Sequence, residues 1–179
     1  MKPDLSKYNI DWYNPGGKLI RLLWFIVSAV FMQSKLNPFS SLKVMLLRIF
    51  GAKIGKNVIV KPGVNIKYPW KLAIGNYVWI GEDVWIDNLD DVVIGSNVCI
   101  SQGAMLLCGN HNYKKSTFDL MIGKIEIKDG VWIGAKSIVT QNVVCENHSV
   151  LAVNSVASSN LDAYAVYRGN PAKKVVDRI

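Results

Sequence analysis

Cysteine is scarce in this chain of 179 residues, and its three copies, Cys99, Cys108 and Cys145, lie apart. An odd count without a C-x-x-C pair argues against a disulfide framework and gives no zinc-site spacing. A reducing cytosol is the expected compartment. Histidine is scarcer still, with only His111 and His148. A catalytic metal site held by three histidines is therefore disfavoured, and no metal is expected. A long uncharged apolar run is also missing. The stretch from Leu19 to Met32 is short for a bilayer and is interrupted by Arg21. It reads as a buried or interfacial helix rather than a span, and without a small-residue cleavage site it does not read as a secretory signal. Acidic residues number thirteen against twenty-one basic ones, a net charge of +8. That balance favours anionic partners such as a phosphorylated cofactor, a nucleotide sugar or a lipid headgroup. The basic residues are scattered. Without an arginine-rich run or an RNA-binding aromatic signature, no nucleic-acid partner is expected.

What the chain does have is a six-residue period. Apolar residues recur at Ile54, Val60, Ile66, then Ile74, Ile80, Ile86, then Ile94, Ile100, Leu106, and then Ile127, Ile133, Val139, Cys145, Leu151, Ala157. A small residue often follows, as in Gly55, Gly75, Gly81, Gly95 and Gly134, and four places on stands a small or β-branched one such as Val58, Val78, Val98 or Ser137. Six is the period of neither a globular helix nor an ordinary strand. It fits an all-β solenoid with triangular coils, in which each hexapeptide supplies one flat face and one corner. The aliphatic points inward onto its equivalents in adjacent coils, which pair as parallel strands about 4.8 Å apart. Gly, Asn and Asp suit the corners. Half of the residues are apolar, enough for a real core, and six tryptophans call for burial, an interface or a ligand face.

The phase breaks carry the organisation. Two short slips contain Pro69-Trp70 and Leu89-Asp90-Asp91. The long break, from Leu106 to Ile127, predicts a loop extruded near residues 108–125, and a long loop on a regular scaffold is where function usually sits. Residues 1–50 read as a helical arm or cap, 51–160 as the β-helix and 161–179 as a tail that leaves the prism. Within the arm, Leu42, Met45, Leu46 and Ile49 form one face of an amphipathic helix that Ser40 or Ser41 could cap and that could cover the first coil.

Several motifs together resemble a known family. Leu47 to Gly55 opens the repeat, Ile100-Ser101-Gln102-Gly103-Ala104 leads to Gly109-Asn110-His111, Val131-Trp132-Ile133-Gly134-Ala135 follows the loop, and Gly169-Asn170-Pro171-Ala172-Lys173 closes the chain. The chain is similar to the hexapeptide-repeat acyltransferases, within them to the sugar O-acetyltransferases of exopolysaccharide synthesis, and more distantly to galactoside, maltose and serine acetyltransferases. The resemblance implies a left-handed parallel β-helix, acetyl-CoA as acyl donor, and a homotrimer with active sites between subunits. It departs at Gln141-Asn142-Val143-Val144-Cys145-Glu146 and at Ala152-Val153-Asn154-Ser155, where the family's glycine-containing steps are missing. Those changes bear on the walls of the CoA groove more than on the reaction.

Acetyl transfer to an alcohol needs a base, a held thioester and donors for the oxyanion. Histidine, with an unperturbed pKa of about 6.5, is a suitable base. The resemblance makes His111 the catalytic residue, taking the hydroxyl proton without an acyl-enzyme; alone, it could simply bond backbone. His148 reads as surface. His111 needs an orienting partner, either a backbone carbonyl or a carboxylate. Asp87, Asp90 and Asp91 lie about one coil earlier, and Asp87, Asn88 and Trp85 are the candidate acceptor-binding residues, with an ordinary acidic turn as the alternative. Trp79 and Trp85 could floor the acceptor site, meet a partner chain or merely cover surface. For the cofactor groove the candidates are Trp132, Gly134, Ala135, Val153, Ser158 and Lys173, although Trp132 could instead pack on the loop. Lys136, Arg168, Lys174 and Arg178 are further counter-charges for phosphate. The acceptor implied is a sugar hydroxyl, free or lipid-linked, in exopolysaccharide, capsule or glycolipid synthesis. An amino sugar, an amino acid such as serine, or a non-catalytic assembly module are the alternatives. The protein is expected in the cytoplasm, at the inner face of the membrane if the arm touches lipid rather than packing within a trimer.

Overall fold

A computed structural model describes residues 2–179 and shows a parallel β-solenoid capped by helices. Its three faces are parallel sheets whose strands follow one another in chain order. The first holds Lys53–Ile54, Leu72–Ile74, Val92–Ile94, Ile125–Ile127 and Val144–Cys145. The second runs from Ile59–Val60 through Trp79–Ile80, Cys99–Ile100, Trp132–Ile133 and Val150–Leu151 to Ala165–Gly169. The third holds Asn65–Ile66, Trp85–Asp87, Met105–Leu107, Ile138–Thr140 and Val156–Ala157.

Register puts like residues over like. Ile54 pairs with Ile74, Ile74 with Ile94, Ile94 with Ile127 and Ile127 with Cys145. Val60, Ile80, Ile100, Ile133 and Leu151 form a second column, and Ile66, Ile86, Leu106, Val139 and Ala157 a third. All of the periodic residues except half-buried Ile54 are buried. So are the residues four places on, including Ser137, Ser149 and Ser155. Burying a Val, Leu or Ile side chain contributes about 1.5–3 kcal/mol, and the columns repeat that gain coil after coil.

Two constraints shape the corners. Three places after an inward residue the backbone is left-handed: Asn57, Tyr77, Asp83, Asn97, Lys136, Asn142, His148 and Asn154 all have φ between 55° and 62°. Asn and Asp tolerate that conformation, and so supply five of the eight corners. The glycine directly after the aliphatic has a different role. A Cβ on Gly81 would sit 2.6 Å from the Gln102 backbone nitrogen, and one on Gly134 2.6 Å from that of Val153. The chain above passes directly over these positions, so close approach, rather than turning, requires glycine there.

The helices cover the first coil, with a face that differs from the one expected. α1 spans Lys18–Val27, continues into a π-helical turn over Ser28–Met32, and inserts Trp24, whose indole N–H donates to the Ile66 carbonyl at 2.8 Å. α2 spans Ser40–Ile49 and buries Lys43, Val44 and Leu47, while Met45 and Ile49 point outward. Ser40 does not cap the helix. Its hydroxyl accepts the Val60 N–H at 2.8 Å, tying the helix to the open coil edge. The end of the chain is a second correction. Rather than leaving the prism, Ala165–Gly169 adds a sixth rung to the second face, and Ala172–Asp177 folds back antiparallel on it. An added strand satisfies an edge that a departing tail would leave open.

Replacing Gly81 by alanine forces a backbone shift between coils. Gly81→Ala is expected to destabilise the fold by about 1–3 kcal/mol, read as a lower thermal midpoint; an unchanged midpoint would contradict the stacking constraint.

Candidate functional site

The long break is a β-hairpin that leaves the third face. Gly109–His111 pairs antiparallel with Leu120–Ile122, and the Gly123 N–H returns to the Cys108 carbonyl at 3.0 Å. At its mouth the Cys108 thiol is buried, which pushes its pKa up to about 12, with the Asp90 and Asp87 carboxylates adding to the shift. Cys108 is therefore a packed thiol rather than a nucleophile.

His111 is half-buried and firmly placed. Its ring lies flat on Phe118, with centroids 4.4 Å apart and planes 7° from parallel, and Tyr8 meets it at 5.7 Å. Its Nδ1 lies 3.0 Å from the Phe118 carbonyl oxygen. A carbonyl can only accept, so Nδ1 carries the proton and a neutral ring keeps its lone pair on Nε2. Phe118 adopts φ of 51°, uncommon for an aromatic residue, and in that left-handed turn it presents both its ring and its carbonyl to the same imidazole. Of the two orienting partners expected, the backbone carbonyl is the one in contact. His111, Phe118, Leu5 and Tyr8 line a pocket of about 390 Å³.

Leu5 and Tyr8 were not foreseen. The Asp4 N–H donates to the Ser116 carbonyl at 2.7 Å, the Tyr13 hydroxyl to the Leu89 carbonyl at 2.8 Å, and Gly16 lies against Trp70. Residues 4–16 thus form a strap from the hairpin down to the helical cap. No local pattern marks it, because each contact joins residues far apart in sequence.

The acceptor candidates separate. Trp85 is exposed on the third face, beside Asn65 and Met105. Trp79 shares the second face with Trp132, and both Trp79 and Trp85 point outward directly before the inward Ile80 and Ile86. The Asp87 carboxylate accepts from Lys67 at 2.8 Å, and a Cβ on Gly109 would lie 3.8 Å from it, which puts it beneath the start of the hairpin. Asn88 is a correction. It is fully buried, accepts the Tyr68 N–H at 2.9 Å and donates to the Tyr68 carbonyl at 2.6 Å, so its amide is taken up by the turn below.

A cleft of about 520 Å³ runs along the second face, bordered by Ser101, Trp132, Gly134, Ala135, Val153 and Val166. The Trp132 indole donates to the Ser101 hydroxyl at 2.9 Å, which holds the ring upright as a wall. The Gly134 and Trp132 N–H groups are taken by the Leu151 and Ser149 carbonyls, whereas the Ala135 N–H has no acceptor among the described residues. Arg168 follows Val166 at the alternate position and so lies on the same side of the sheet; Lys173 is its cross-strand partner. Two cations opposed in this way repel unless an anion joins them. Lys174, by contrast, is paired with Asp177 at 2.7 Å, and Arg178 donates to the Gly130 and His148 carbonyls. Ser158 stands apart, exposed beyond the third-face strand, and does not line the cleft. The His111 pocket and this cleft share no residue within one chain.

No family model matches the chain. Among curated proteins it is 35% identical over 177 residues to the "Putative colanic acid biosynthesis acetyltransferase WcaF" of Escherichia coli (strain K12), covering 98% of this chain and 97% of that protein. It is 25% identical over 133 residues to the galactoside O-acetyltransferase of the same organism, covering 73% of this chain and 66% of the other. In fold it is similar to a hexapeptide-repeat acetyltransferase of Vibrio cholerae O1 biovar eltor solved with acetyl coenzyme A. The TM-score is 0.83 at 20% identity, over 98% of this chain and 96% of the other.

Asn88→Ala is expected to cost about 1–3 kcal/mol of stability, as two backbone groups of Tyr68 lose their partner. The KM for an acceptor should not rise; an acceptor KM raised severalfold at unchanged stability would restore Asn88 to the binding site.

Proposed function

This chain belongs to the hexapeptide-repeat acetyltransferases, and we propose that it moves the acetyl group of acetyl-CoA onto a sugar hydroxyl in exopolysaccharide synthesis, with His111 as base. The observation that carries this reading is the Nδ1 contact with the Phe118 carbonyl, which leaves Nε2 unprotonated beside a pocket. The names of the relatives, a colanic acid biosynthesis acetyltransferase and a galactoside O-acetyltransferase, support the acetyl group and a sugar hydroxyl as acceptor.

The chemistry follows from the residues. His111 Nε2 takes the hydroxyl proton as the alcohol oxygen bonds to the thioester carbonyl carbon. The Ala135 N–H, in the turn that follows the Trp132–Ile133 strand, donates to the carbonyl oxygen as it gains negative charge. When the carbon–sulfur bond breaks, the imidazolium returns its proton to the departing sulfur. No covalent enzyme intermediate is needed, in keeping with a protonated Cys108. Trp132 walls the pantetheine side of the groove, and Arg168 with Lys173 binds phosphate. Asp87 and Trp85, below the hairpin and on the third face, are offered to the acceptor.

Because the base and the groove line separate pockets of one chain, the reaction requires a second copy. A homotrimer in which the His111 hairpin of one subunit meets the second face of its neighbour closes each site.

Thiol release from acetyl-CoA with a panel of sugars tests the proposal. His111→Ala should lower turnover at least about a hundredfold with little change in the KM for acetyl-CoA; an unaffected rate removes His111 from the reaction. Trp132→Ala should raise the KM for acetyl-CoA about tenfold while leaving the acceptor KM near its original value, and a change confined to the acceptor would reassign that wall.

A further inference from the structure

α1 is inside out. Its buried side carries Trp24 and, in the following turn, Ser28 and Met32, with Arg21 half-buried among them. Its outward side carries Leu19, Leu22, Leu23, Ile26 and Val30, spaced i, i+3, i+4, i+7 and i+11, each between 47% and 69% exposed. A helix packed on a water-soluble domain ordinarily points such a stripe at the core. α2 repeats the anomaly with Met45 and Ile49.

The charge lies at the same end. Residues 12–81, which make the end of the strap, the helices, the first coil and the first two strands of the second, contain ten lysines and arginines and no carboxylate. Residues 82–179 contain nine against eleven. The basic residues that look scattered along the sequence therefore place the whole positive surplus on one end of the prism. Lys18, Lys53, Lys56 and Lys61 are exposed there, and among the described residues none of them forms an ion pair. No helix among the described residues is long and apolar enough to cross a membrane.

We propose that this helical end docks on an anionic lipid bilayer, with the outward stripe of α1 in the headgroup–acyl boundary and the surrounding lysines on the lipid charges. Apolar area plus a cationic fringe on a helix too short to span is the physical description of an interfacial anchor. A second copy fits less well, since the same end brought against itself would oppose two unbalanced positive surfaces. The surface is independent of the His111 chemistry.

The test is cosedimentation of the full chain with phosphatidylcholine vesicles, with and without phosphatidylglycerol, alongside its mass in solution. Partition should be at least about tenfold stronger onto anionic vesicles and should fall at least about tenfold between low and high salt. The double variant Leu22→Glu/Ile26→Glu should lose vesicle binding while keeping its thermal midpoint, its oligomeric mass and its thiol release with a soluble sugar. Equal partition onto both vesicles, no partition by the unaltered chain, or a double variant that still binds overturns the proposal. So does a double variant whose oligomer falls apart, because the stripe then lies between copies. The salt response of the unaltered chain keeps the test decisive if the variant fails to fold. Failure on vesicles leaves acetyl transfer standing, since that is measured without lipid.

Discussion

Coil-on-coil stacking is the constraint from which everything else in this molecule is derived. Adjacent strands must lie about 4.8 Å apart. At Gly81 and Gly134 the spacing leaves no room even for a methyl group beneath the next coil. Left-handed corners three residues after most of the inward aliphatics of the first and second faces turn the chain without using a core position. A frame so tightly indexed has little freedom to breathe, and it delivers any inserted segment to a fixed point in space.

The hairpin that carries His111 is such an insertion. It leaves the third face where Leu107 lies over Asp87, and its return strand re-enters the next coil in register. Rigidity at its base is then passed to the imidazole by Phe118, through ring stacking and a carbonyl bond from one unusual backbone turn. The amino-terminal strap adds Tyr8 from the other side. The groove on the second face is assembled by the same regularity: Trp132 stands over Cys99 and beside the Ser101 hydroxyl because the coils repeat.

The fold was legible because a solenoid writes its geometry into a local period. Ile54 through Ala157 could be placed inward from spacing alone, and the long phase break located the hairpin. The tail was not legible: Val166 and Tyr167 carry no hexapeptide signature, yet they continue the second face. Nor was the buried side of α2, where periodicity pointed to Met45 and Ile49 while packing chose Val44, Leu47 and the lysine beside them. An apolar stripe says that a surface wants to leave water, not which neighbour receives it. Asn88 misled for a related reason, since its type suits a sugar but its amide is consumed by Tyr68. Tyr8 and Leu5 could not be found from sequence, because a strap is defined by contacts between segments a hundred residues apart.

The central claim is that the fold itself chooses which nitrogen of His111 is free. Nitrogen NMR of the labelled protein near neutral pH reads this directly. The account predicts that the neutral ring carries its proton on Nδ1 and that Nε2 shows the signature of a bare lone pair. A neutral ring protonated on Nε2 would contradict it, because that nitrogen could not accept a proton from an alcohol.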